Sequence, residues 1–139
     1  MRKNKDFWDK VKSKLPLTSK ILDLGDNKNL FKEYKFYTIS KDFSLTFLKK
    51  DYSCILATNF FEYDPFYEIS LLTCINSISL NGVFVFTISF TPVEDDDIDY
   101  YKHLTEKEIR RIFDIDKYFN EYQFELNEDN DLLFYGIKK

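Results

Sequence analysis

Three short stretches hold the residues whose types and spacing could do chemistry. In "KILDLGDNKN", residues 20–29, an apolar pair, Ile21-Leu22, leads into Asp23-Leu24-Gly25. An acidic residue and a glycine at the exit of a buried strand suit a phosphate or cofactor loop: an acceptor beside backbone that a ligand can approach closely. The loop then runs Asp26-Asn27-Lys28-Asn29, where further glycines are expected. Asparagine tolerates positive φ best after glycine, so Asn27 and Asn29 can keep the loop's shape while filling space that glycine would leave open. The second stretch, Glu94-Asp95-Asp96-Asp97-Ile98-Asp99, has the charge for a divalent cation but not the spaced ligands and turn glycine of a calcium loop. It reads as a solvated acidic loop. The third, "YYKHLTEKE", holds the one histidine, His103, ahead of a helix pattern, where a surface or capping role is expected. Cys54 and Cys74 lie inside apolar runs with no Cys-His cluster, which points to buried thiols and no metal site.

The elements that must position these groups follow from periodicity. "KDFWDKVKSKL" sets Phe7, Trp8, Val11 and Leu15 at helical spacing between lysines and stops at Pro16, an amphipathic N-terminal helix within residues 1–16. "KILDL" and "KFYTIS" read as strands separated by one helical turn in "NLFKEY". "YSCILATNFF" is a third strand, apolar enough to be covered on both faces. From Pro65 to Leu80 the pattern predicts a helix with Phe66, Ile69, Leu72, Ile75 and Ile78 on its core face, closed by Asn81-Gly82. "VFVFTISF" is the strongest strand. Thr105 and Glu108 form a capping-box pattern at the start of a last helix, and "YQFELN" and "DLLFYGIKK" make a final pair of strands around the acidic turn "EDND". This order predicts an α/β sandwich with a mainly parallel sheet, whose ligand crevice lies beyond Leu24, Ser40 and Thr58.

Composition bounds the rest. With 139 residues, 44% apolar and 19% aromatic, the chain is expected to fold as a single domain over residues 1–139, its body spanning 20–139. A net charge of -4 argues against a general nucleic-acid binder, although residues 1–20 are locally basic and a solvated helix face is the expected reading there. With no signal peptide, acylation motif or long apolar run, an intracellular, cytoplasmic protein without membrane contact is expected.

From residue 20 to the C-terminus the chain resembles the class I S-adenosylmethionine-dependent methyltransferases. "ILDLG" resembles the family's first motif, and "TISKDFS" the second, which places an acidic residue at Asp42. "DYSCILATNFFEYDP" is similar to the strand and turn that line the methyl-transfer side. "SISLNGVFVFTISF" and "YYKHLTEKEIRRIF" resemble the passages before the terminal strand pair. The resemblance implies a Rossmann-like three-layer α/β sandwich and S-adenosylmethionine as cofactor. It implies that Gly25 lets the backbone approach the methionine part, that Asp23 holds the amino group or orders the loop, and that Asn27 belongs to the same loop. Asp42 would accept from the ribose hydroxyls, 17 positions past Gly25 and close to the spacing of dinucleotide sites. Asn59 would touch cofactor or substrate. Glu62, Tyr63 and His103 are the base candidates, with Glu62 expected as a solvated turn residue.

The chain departs from the family at three places. The glycine loop is replaced by asparagines. Only 11 residues run from Gly25 to Lys35, and the stretch from Ser44 to Tyr52 is too short for the usual helix, edge strand and loop. A trimmed sheet is expected. The expected function is a methyltransferase-like protein with weakened or lost cofactor binding, acting through protein contacts (a partner or a second copy) or through nucleic acid at its basic helix. The alternative is an active small methyltransferase that needs a partner subunit.

Overall fold

The computed structural model describes residues 4–17, 19–24, 31, 33–38, 52–90, 104–112 and 114–139, with 35–38 described as backbone alone. Its strands are β1 (Lys20–Asp23), β2 (Lys35–Thr38), β3 (Tyr52–Thr58), β4 (Ile78–Ser89), β5 (Phe119–Leu126) and β6 (Asp131–Lys138). The helices are α1 (Lys5–Ser13), α2 (Tyr67–Asn76), α3 (Glu106–Ile112) and α4 (Ile115–Tyr118). Two strands that are apolar on both faces set the architecture. In β3, Cys54 and Leu56 join one core while Ile55 and Ala57 join another, and β4 divides Val83 and Val85 from Phe84, Phe86 and Ile88 in the same way. Such strands must be covered on both sides, and helices do the covering. α1 lays Phe7, Trp8 and Val11 on one face of the sheet, and α2 and α3 cover the other with Tyr67, Leu71, Ile75 and Ile109.

The strands stand in the order β2-β1-β3-β4-β6-β5. β1 pairs in parallel with β2 and β3, and β3 with β4, while β6 runs antiparallel to β4 and β5. This is the predicted Rossmann-like sandwich, mainly parallel with an antiparallel C-terminal pair and reduced in extent. Among the described residues β2 and β5 form its edges. The final hairpin closes through Asn127, whose Oδ1 accepts from the N–H groups of Asp129 and Asp131, both at 2.9 Å. The Thr105 hydroxyl accepts the Glu108 N–H at 3.4 Å at the head of α3, where the sequence predicts a cap.

Three expectations require correction. The predicted helix to Leu80 ends at Asn76, because Ser77 caps it and the chain then pairs with β3, Ile78 beside Tyr52. Asn81-Gly82 therefore lies inside β4 in an irregular stretch, with Asn81 at φ 64°, and does not close the helix. The buried face of α2 is Tyr67, Ser70, Leu71, Cys74 and Ile75, while Phe66 and Ile69 face solvent at 68% and 57% exposure. Finally, the third strand stops at Thr58. Asn59 turns into the left-handed region (φ 49°) and Phe61–Tyr63 forms a 3-10 turn.

Candidate functional site

The strand order reverses at β1, which has β2 on one side and β3 on the other. The crevice of such a sheet opens beyond the carboxyl ends of these two strands, where the chain departs in opposite directions. Asp23, the last residue of β1, is held there at 2% exposure. Leu24 extends the ladder by donating its N–H to the Leu56 carbonyl at 2.7 Å, so the exit from β1 is fixed against β3. β3 continues past Asp23, whose register partner is Leu56. Asn59 thus stands about 10 Å further along, three residues at roughly 3.3 Å each. It is exposed, and its N–H donates to the Thr87 carbonyl (2.9 Å) and to Thr87 Oγ1 (3.2 Å).

The sheet thus brings Asp23 and Asn59 to the same end of adjacent strands. Gly25, Asn27 and Asp42 lie outside the described residues, as do His103 and the acidic run 94–99. Asp23 and Asn59 offer carboxylate and amide oxygens, acceptors of the kind that an ammonium group or a hydroxyl requires. An amino-acid-bearing cofactor would need acceptors of this kind at this end of the sheet. Below it, Cys54 is a free thiol that burial, and then the charge of Asp23, pushes far up. Cys74 is likewise free and buried, its thiol raised by burial. Both sulfurs are inert packing groups.

Glu62 is the residue that the sequence reading misplaces. Expected in solvent, it is 0% exposed. Its Oε2 accepts the N–H of Ser89 at 2.8 Å, while Oε1 is enclosed with no hydrogen-bond partner among the described residues. Burial pushes its carboxyl above the ordinary value of 4.5, the N–H groups of Ser89 and of Glu62 itself oppose that, and the charge of Asp131 adds to it. An unsatisfied buried polar atom costs about 1–3 kcal/mol. The sequence held one usable sign, a lone acid between Phe60-Phe61 and Tyr63, and a single acid in an aromatic run does not announce its burial. Beyond it the Asp64 carboxylate braces the head of α2, accepting from Phe66 N–H (2.8 Å) and the Ser70 hydroxyl. Tyr63 (41% exposed), Phe66 and Ile69 face solvent.

No protein-family model matches the chain, and no curated protein matches it. Solved structures do, and they define a class: the fold is that of the S-adenosylmethionine-dependent methyltransferases. One is a protein of Listeria monocytogenes described as an S-adenosylmethionine-dependent methyltransferase, 13% identical, with a TM-score of 0.64 over 99% of this chain and 100% of that one. A second is the 1,6-didemethyltoxoflavin-N1-methyltransferase of Burkholderia thailandensis, solved with 1,6-didemethyltoxoflavin and S-adenosylhomocysteine bound. It is 12% identical, with a TM-score of 0.68 over 96% of this chain and 77% of that one. A third is a methyltransferase solved in complex with the Trm112 methyltransferase activator of Haloferax volcanii, 12% identical, with a TM-score of 0.60 over 96% and 91% of the two chains. Against a larger O-methyltransferase from Nostoc punctiforme, the chain spans 56% of the length.

Proposed function

We propose that this chain is a small methyltransferase-type protein that takes S-adenosylmethionine, or its product S-adenosylhomocysteine, in the crevice beyond β1 and β3. The observation that carries this reading is the position of Asp23, an acid at 2% exposure on the last residue of β1, where the strand order reverses. In this reading Asp23 meets the amino group or orders the loop, Gly25 and Asn27 shape the loop around the methionine part, Asp42 receives the ribose hydroxyls, and Asn59 closes the β3 side. All of 1–139 acts as one domain. The bound sulfonium supplies an already activated methyl group, so this chain's residues need only hold the partners in line and exclude water. Glu62 is not the base here, since it is enclosed and engaged with Ser89. Tyr63, 41% exposed and four residues past Asn59, is the base candidate that stays open to solvent among the described residues.

Calorimetric titration with S-adenosylmethionine and S-adenosylhomocysteine, carried to millimolar concentration, tests this reading. Saturable binding is expected, weakened about tenfold or more in Asp42→Ala, as loss of charge-assisted hydrogen bonds would give. An athermal titration up to that concentration, with no displacement in a competition format, rejects it.

A second reading, a chain that no longer catalyses and works through a protein partner, is favoured by two observations. The first loop has asparagines where glycines belong, and Tyr63, Phe66 and Ile69 make an exposed apolar surface. Under this reading the partner covers that surface, and the cofactor titration is silent. One structural neighbour, solved with its activator protein, offers a precedent for a partnered member of the fold.

A further inference from the structure

Two bonds join the exit of β3 to the end of β4. The first is Asn59 N–H to Thr87, which accepts with both its carbonyl and its hydroxyl. Residues two apart along a strand direct their backbone groups to the same side. The Thr87 carbonyl faces β3, and Phe90 N–H goes the other way, to Asn130 on the β6 side at 3.0 Å. The N–H of Ser89 therefore points to the side where β3 has just ended. Glu62 Oε2 accepts it at 2.8 Å, in the place of the next strand carbonyl. The carboxyl serves as one more rung of a strand that has already turned away.

We infer that Glu62 is a positioning residue, whose buried carboxyl bolts the turn after β3 to the last residue of β4 and so holds Asn59 at the mouth of the crevice. The inference rests on the proposed cofactor site for its functional meaning, but the bolt itself does not. A side chain chosen for packing alone would be apolar at a site with 0% exposure whose Oε1 has no partner among the described residues. The carboxyl is kept because it accepts the Ser89 N–H. Burial favours its neutral form, and a neutral acid accepts the same bond through its carbonyl oxygen. The amide of glutamine copies that arrangement.

The experiment compares Glu62→Gln and Glu62→Ala by amide hydrogen exchange and by titration with S-adenosylhomocysteine. In Glu62→Ala the Ser89 and Asn59 amides are expected to exchange about tenfold faster or more, while Ile21 and Leu22 in β1 keep their protection. Affinity falls about tenfold alongside, the scale of loss that a small misplacement of a site group produces. Glu62→Gln retains both. Equal losses in the two variants, or unchanged Ser89 and Asn59 exchange in Glu62→Ala, would overturn the inference. Should Glu62→Ala not fold, Glu62→Gln decides: protected Ser89 supports the bolt, and a deprotected Ser89 refutes it. If the unmodified chain takes no S-adenosylhomocysteine, the cofactor reading fails, and the exchange comparison still judges Glu62.

Discussion

A β-carbon on Gly82 would stand 2.5 Å from Ile78 Cγ2, 2.8 Å from the Ser53 carbonyl and 2.9 Å from that of Ser79. Its φ is not positive, so the glycine is required by crowding within the irregular start of β4 and not by backbone conformation. Two of the three neighbours are backbone and cannot step aside, so Gly82→Ala is expected to cost about 1–3 kcal/mol, read as a lower urea midpoint with an unchanged slope. Glu62 makes a second prediction at this scale, through pH. Its carboxyl is raised in the fold by burial first, with Asp131 adding and the N–H groups of Ser89 and of Glu62 itself opposing, so the folded chain binds a proton there more tightly than the unfolded one. Its contribution to stability is therefore greatest below the ordinary value of 4.5 and declines as pH rises through the raised value. Relative to Glu62→Gln, the unmodified chain should lose stability over that range in paired denaturation curves. A constant difference between the two at every pH would show that Glu62 does not titrate abnormally.

Among the elements, α1 has the simplest logic. Phe7, Trp8 and Val11 repeat at helical spacing, and all three are buried against Ile21, Phe31, Leu56 and Tyr135. Trp8→Ala is expected to destabilise the chain by about 3–5 kcal/mol in chemical denaturation, the usual scale for emptying a buried aromatic site. Its periodicity was legible because only one face of α1 is apolar. The sequence of α2 is ambiguous by comparison, with Phe66 and Ile69 on one face and Tyr67, Leu71, Cys74 and Ile75 on another. The choice is made by tertiary contacts that periodicity does not contain: Tyr67 reaches Glu108 of α3 at 3.2 Å, and Ser70 is drawn inward by Asp64. The strands were legible in their cores and not at their ends. β3 ends through the left-handed Asn59 and β4 starts early through Tyr52, both set by the neighbouring strand. For the same reason Asp23 could be placed at a strand exit from sequence, whereas the burial of Glu62 depends on where β4 stops.

For the molecule as a whole, charge and exposed apolar surface point to different partners. Lys5, Lys10 and, at the C-cap of α1, Lys14 have partners in Asp9 at 2.9 Å, Gln123 at 3.2 Å and Glu121 at 2.7 Å, while Lys12 lies over the Phe31 ring, 5.4 Å from its centroid. The Glu121 carboxylate, by hydrogen bond and then by charge, holds the Lys14 ammonium above its ordinary range. A helix whose cations are already engaged by acceptors or a ring offers less to phosphate than its composition suggests. No helix among the described residues is long and apolar enough to cross a membrane. Tyr63, Phe66 and Ile69, by contrast, leave apolar side chains exposed. Phe66→Ser with Ile69→Ser should leave the thermal midpoint within about 2 °C, because both side chains are already solvated. If a second copy covers the surface, the same double variant should sediment as a smaller species than the unmodified chain. The central claim is that the crevice between the ends of β1 and β3 takes the cofactor, and NMR shift mapping with S-adenosylhomocysteine on the isotope-labelled chain tests it most directly. The account predicts saturable shifts at the amides of Asp23, Leu24, Thr58 and Asn59. Silence at millimolar ligand, or shifts confined to the groove of Arg110, Asp114 and Tyr122 at the opposite edge of the sheet, would contradict it.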